Sequence, residues 1–181
     1  MTLLSELRNN GQLRTLDHAL AISLGRLRPE TAPSVLVAAA LASLTVSQGH
    51  AGFDPAQPQR LVEGGFDWPS PTQWLEQLRE SEWVALPEQP GVASVDAPLV
   101  LENGLLYLRR YREYERQLAE GLQRIGRFAL PSMALESLAP LFAQLFPDAA
   151  GGVDHQARAA AVTLRHPLSL VTGGPGTGKT T

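Results

Sequence analysis

The residues best equipped for chemistry stand together near the end of the chain. Gly173, Gly174, Pro175, Gly176, Thr177, Gly178, Lys179 and Thr180 satisfy G-x-x-x-x-G-K-[ST] at every specified position, and Thr181 follows. Glycine has no Cβ, so successive backbone amides in such a loop can turn inward and aim their N–H groups at phosphate oxygens. In this pattern the Lys179 ammonium reaches the β- and γ-phosphates of a nucleotide, and the Thr180 hydroxyl is a ligand for the accompanying magnesium. The chemistry implied is capture of ATP with Mg. Of fifteen basic residues fourteen are arginine, and Lys179 is the only lysine. A compact ammonium on a flexible stem fits between phosphates where a planar guanidinium would not. Average glycine usage makes a chance match a matter of roughly one per cent of chains this long. The motif says nucleotide; it does not choose among helicases, kinases and transporters.

A phosphate loop needs elements to hold it. Residues 168–171, Leu-Ser-Leu-Val, form a short apolar run leading directly into glycines, as a buried parallel strand does. Before it, Asp154 can cap a helix whose apolar positions Ala157, Ala160, Ala161 and Leu164 are small enough to pack closely on a sheet, and His166-Pro167 ends that helix. Gln156 lies at its start. A glutamine amide carries a donor and an acceptor that match the adenine N6 amino group and N7, so Gln156 is a candidate adenine contact. A solvated helix-start residue is the commoner reading of one glutamine taken alone.

Upstream the pattern is helical. Leu16, Ala19, Leu20, Ser23, Leu24 and Leu27 recur at three- and four-residue steps and predict one apolar stripe. Residues 35–46 are apolar nearly all round and alanine-rich, which predicts a helix buried among other elements, closed by Ser47-Gln48-Gly49. Residues 51–70 and 87–98, rich in proline and glycine, read as loops. Between them Ser70-Pro71-Thr72-Gln73 announces a helix, with serine as its cap and Trp74, Leu75 and Leu78 as its apolar face. Asn103-Gly104 between two leucine-rich runs predicts a tight β-hairpin. From Arg110, residues Tyr111, Tyr114, Leu118, Leu122 and Ile125 mark another helical stripe. Leu135 to Phe146 continue helical spacing, divided at Pro140, and residues 147–153 with Gly151-Gly152 read as a linker. Residues 1–150 and 151–181 are therefore expected to be separate domains.

Composition bounds the remaining possibilities. With 181 residues, 44% hydrophobic and 18% charged, the chain has the make-up of a folded globular protein. The longest mainly apolar run, residues 35–46, is far short of the about 20 residues a spanning helix needs, and no secretory signal opens the chain. There is no cysteine, hence no disulfide or thiolate metal site, and a cytoplasmic setting is expected. A net charge of −3 draws the chain neither to nucleic acid nor to anionic lipid as a whole. Arg109, Arg112 and Arg116, with Arg110, Arg124 and Arg127 nearby and tyrosines interleaved, could hold a single strand. Glu113, Glu115 and Glu120 among them favour a salt-bridged solvated face instead. The four histidines lack metal-ligand spacing, so the only metal expected is nucleotide-borne Mg.

Gln156, the run at 168–171 and the loop from Gly173 to Thr181 together resemble the RecD family, the alpha subunits of exodeoxyribonuclease V. The resemblance extends to the Asn-Gly hairpin with Tyr-Leu-Arg-Arg-Tyr and Tyr-Glu-Arg after it, to Gly49-His50, and to Leu145-Phe146-Pro147. It implies a mainly α amino-terminal domain with one short β-hairpin, then the first helix, strand and phosphate loop of an α/β, RecA-like P-loop NTPase domain. It also implies an ATP-dependent 5′–3′ DNA helicase subunit working in double-strand break repair and recombination. Residues 1–150 would dock on RecB- and RecC-type subunits, and single-stranded DNA would be bound mainly beyond residue 181, away from any membrane. By the same resemblance Gln156 contacts adenine, Lys179 the phosphates and Thr180 the magnesium. With the sequence stopping at Thr181, no ATP turnover is expected of these residues alone. Two alternatives share the motif or the length: a non-catalytic protein-interaction module, and part of another P-loop ATPase such as an AAA-type remodeller.

Overall fold

A computed structural model describes residues 2–87, 96–130, 135–147 and 154–176. The chain divides into two compact units, Met1–Arg116 and Gln117–Thr181. The division falls inside a helix, whereas the linker expected at 147–153 lies almost wholly outside the described residues.

The first unit is built around one buried helix. After α1 (Leu3–Asn9) and α2 (Thr15–Leu27), α3 (Pro33–Ser47) buries Val35 and every residue from Val37 to Thr45. Alanine at 38, 39, 40 and 42 leaves room on all sides, so α1, α2, α4 (Pro71–Glu80) and a small sheet all pack on it. The expectation of a helix buried all round holds. For α2 the expected stripe is corrected in part: Leu24 is buried and Leu20 packs on the core as expected, but Asp17 and Ala21 also face inward, while Leu16 is 67% and Leu27 72% exposed. The helix is rotated because Asp17 brings its own partners into the core. Its carboxylate accepts from the Arg14 backbone N–H (3.0 Å), from Arg14 Nε (2.9 Å) and Nη2 (2.6 Å), and from Ser43 Oγ on α3 (2.7 Å).

Pro71 starts α4 as expected, but the Ser70 side chain makes no capping hydrogen bond. The helix is held instead by Trp74, fully buried, whose Nε1 donates to the Ser34 carbonyl (2.9 Å) and whose ring stacks near Trp68 and meets Phe53 edge-on. Trp83 Nε1 likewise donates to Thr31 Oγ1 (2.8 Å) under the Arg28 guanidinium, which pairs with Glu82.

The hairpin appears where Asn103-Gly104 predicts it, between β3 (Leu99–Glu102) and β4 (Leu105–Leu108), with φ of 51° and 79° at the two turn residues. It is not alone. The loops on either side of α4 contribute two-residue strands, β1 (Gly52–Phe53) antiparallel to β4 and β2 (Val84–Ala85) parallel to β3, giving the order β1-β4-β3-β2. Side chains alternate across this sheet: Leu99, Leu101 and Leu106 join the main core, and Val100 meets Ala85 and Ala97 on the other face.

The helix α5 (Arg109–Gly126) follows directly; of the expected stripe, Leu122 is partly buried and Tyr111, Tyr114, Leu118 and Ile125 are 39–63% exposed. In the second unit a 3-10 turn (Leu135–Leu138) precedes α6 (Ala139–Leu145), with Pro140 in its first turn, as the division at that proline requires. The last helix is α7 (His155–Thr163).

Candidate nucleotide-binding site

The expected site begins at the start of α7. Asp154 caps it, its Oδ1 accepting from the backbone N–H groups of Gln156 (2.8 Å) and Ala157 (3.0 Å), as the sequence predicts. Gln156 is thereby fixed in the first turn with its side chain exposed. After α7 the chain turns at Leu164 and Arg165, bends at Pro167 and Leu168, and continues without regular secondary structure to Val171.

The run expected to form a strand has no paired neighbour among the described residues. Residues 168–171 join no ladder, and Leu170 and Val171 are 80% and 51% exposed. A parallel strand exists only through hydrogen bonds to neighbours, and none of the described residues supplies them. The Ser169 hydroxyl, buried without a hydrogen-bond partner among the described residues, belongs to the same unpaired stretch.

Of the loop itself, Gly173, Gly174, Pro175 and Gly176 are described. Gly176 has φ 75°, a conformation that other residues rarely adopt, and no atom of the described residues lies within 4 Å of where a Cβ would stand. The backbone at this glycine is thus open to close approach by a phosphate, which fits the group the motif implies. Thr177, Gly178, Lys179, Thr180 and Thr181 lie outside the described residues. No cluster of metal-ligating side chains occurs among the described residues, and none of their helices is long and apolar enough to cross a membrane.

Arg109, Arg110, Arg112 and Arg116 of α5 are engaged within the chain. Arg112 pairs with Glu102 on β3 and lies over the Tyr107 ring (5.9 Å), Arg116 pairs with Glu113 (2.6 Å), and Arg110 Nε donates to the Tyr114 hydroxyl (2.9 Å). The hydrogen bond from Arg112 holds the Glu102 carboxyl below its usual range against the upward pull of burial. Of the interleaved glutamates Glu113 thus pairs on the helix itself, with Arg116, while Arg112 is neutralised from β3 by Glu102. Sequence reasoning singled out neither Arg14–Asp17–Ser43 nor the pair Arg158 and Arg165 on the α7 side of a groove; the one available signal for the first was an acid at the third position of a helix.

The fold thus defines a helical domain with a small mixed sheet, joined to a second unit that carries a phosphate-loop motif. Residues 9–107 match the model of the RecBCD enzyme subunit RecD, N-terminal domain. The chain belongs to this RecD family. It is 32% identical over 174 residues to the RecBCD enzyme subunit RecD of Mycobacterium tuberculosis, covering 94% of this chain and 27% of that protein. To the protein of the same name from Mycolicibacterium smegmatis it is 35% identical over 170 residues, 93% of this chain and 28% of the relative. The Haemophilus influenzae RecD subunit is 29% identical over 86 residues, 47% of this chain and 13% of the relative. The chain spans 27–28% of the length of the mycobacterial relatives.

Proposed function

We propose that the chain is the amino-terminal part of an ATP-dependent 5′–3′ DNA helicase subunit of a RecBCD-type complex, acting in double-strand break repair and recombination. The observation that carries this reading is the union, in one chain, of a RecD-family domain at 9–107 with G-x-x-x-x-G-K-T at 173–180. The family match favours this reading over an AAA-type remodeller. Residues 1–150 dock on RecB- and RecC-type subunits, and residues 151–181 begin the motor, with single-stranded DNA held mainly beyond them.

In the motor, Gln156 orients the adenine, and the amides from Gly173 through Gly178 surround the phosphates. Lys179 neutralises charge on the β- and γ-phosphates, and Thr180, flanked by Thr181, holds the Mg. Bound ATP supplies, on hydrolysis, the free energy for movement along DNA. The role of these residues is to bind and orient it. In the intact subunit Lys179→Ala is expected to lower DNA-stimulated ATP hydrolysis by roughly a hundredfold or more. Undiminished hydrolysis in that variant would sink the assignment. Gln156→Ala should raise KM for ATP more than it lowers kcat. Docking is tested separately, by capture of the RecB- and RecC-type subunits on this chain.

A further inference from the structure

Three successive backbone amides at the start of α7 donate to Asp154. Those of Gln156 (2.8 Å) and Ala157 (3.0 Å) meet the same carboxylate oxygen, Oδ1, and that of Arg158 (3.0 Å) meets the Asp154 carbonyl, the first bond of the helical ladder. The opening amides of a helix have no acceptor within it, so the Asp154 side chain satisfies two groups that the helix itself leaves over. Its negative charge also suits the positive end of the helix dipole.

Gln156 is the second residue of α7 and lies inside the turn that this cap orders. The direction in which its side chain leaves the backbone therefore follows from the geometry of that turn. Its amide stands three rotatable bonds further out, so a frayed or displaced turn shifts the amide by more than the tolerance of a hydrogen bond.

Such a shift bears on the choice of base more than on the capture of phosphate. Adenine presents the N6 donor beside the N7 acceptor, which one glutamine amide meets with its own acceptor and donor. Guanine presents two acceptors, O6 and N7, at the same edge, so one half of the amide then faces a like group. The two bases are told apart only if both halves of the amide are delivered in register with that edge. A glycine-rich loop closed on phosphates is indifferent to the base.

We propose that Asp154 is a positioning residue for base selection: by capping α7 it sets the Gln156 amide so that the site takes adenine nucleotides over guanine nucleotides. Asp154 touches no nucleotide in this role and acts through Gln156. The proposal rests on the reading of Gln156 as the adenine contact.

It is tested by DNA-stimulated hydrolysis of ATP and of GTP in the intact subunit, compared as the ratio of the two kcat/KM values. Asp154→Ala is expected to lower the ATP:GTP ratio about tenfold, as Gln156→Ala does, and the double variant to lower it no further than Gln156→Ala alone. Asp154→Asn and Asp154→Ser keep an oxygen that can accept at the cap and should retain most of the ratio. A cap that merely stabilised the helix would, when removed, slow hydrolysis of both nucleotides together and leave the ratio unmoved. An unchanged ratio in Asp154→Ala, or losses that add in the double variant, overturns the positioning role and leaves the adenine contact intact. An unchanged ratio in Gln156→Ala, or equal use of ATP and GTP by the wild type, overturns both. The phosphate-loop reading stands apart from either, since Lys179→Ala should abolish hydrolysis of ATP and GTP alike.

Discussion

Asp17 is fully buried yet ionised, and its surroundings explain why it is tolerated. Burial pulls its carboxyl pKa upward, but hydrogen bonds from the Arg14 side chain, Ser43 and the Arg14 backbone, with the Arg14 charge, outweigh that pull and hold it below the ordinary aspartate range. Such a group stabilises the fold above its unfolded pKa, near pH 4, and the contribution is lost as pH falls through the lower folded value. Asp17→Asn should cost about 2–4 kcal/mol at neutral pH, since the arrangement of donors around the site matches a carboxylate and not an amide. In urea melts the gap between wild type and variant should stay level from about pH 6 to 8 and close below about pH 4. A gap unchanged at low pH would show that Asp17 acts by shape alone. Trp74→Ala should cost about 3–5 kcal/mol in the same melts, since it removes a fully buried ring and the donor to Ser34. The two residues differ in legibility. Trp74 announces itself by lying on the apolar face after a Ser-Pro start, whereas an aspartate inside a leucine-rich stripe reads as solvated until Arg14 and Ser43 are seen beside it.

At the scale of elements, Asn103-Gly104 illustrates local chemistry deciding structure. Gly104 sits at φ 79°, so Gly104→Val should cost about 1–2 kcal/mol and lower Tm, with Asn103→Gly close to neutral. An equal loss in both variants would mean that packing, not backbone conformation, sets the turn. Other elements legible from the residues alone share this local origin: α3 from its unbroken apolar run, α7 from the Asp154 cap, and the break at Pro140. The elements that escaped are those with no local signature. The strands β1 and β2 have two residues each, too few for any period, and exist because β4 and β3 offer free edges to the loops around α4. The run at 168–171 is the converse, an apolar sequence with strand character that finds no edge to join among the described residues. Of the candidate site, the helix cap and the position of Gln156 were legible, because both depend on neighbours within three residues.

For the molecule as a whole, stability is distributed unevenly. The described core residues belong to the first unit, while α5, α6 and α7 bury no residue completely. Amide hydrogen exchange should therefore find α3 the slowest to open and α6 and α7 exchanging through low-energy local openings. Equal protection of α3 and α7 would contradict this ordering. The bare apolar run before the loop has a practical consequence as well. Leu168, Leu170 and Val171, unpaired and with Leu170 80% exposed, offer free backbone groups and greasy side chains to any like segment nearby. Concentrated samples should grow turbid through edge-to-edge association, and Leu170→Lys, a gatekeeper charge in the middle of the run, should delay the rise in light scattering without altering the melt of the first unit.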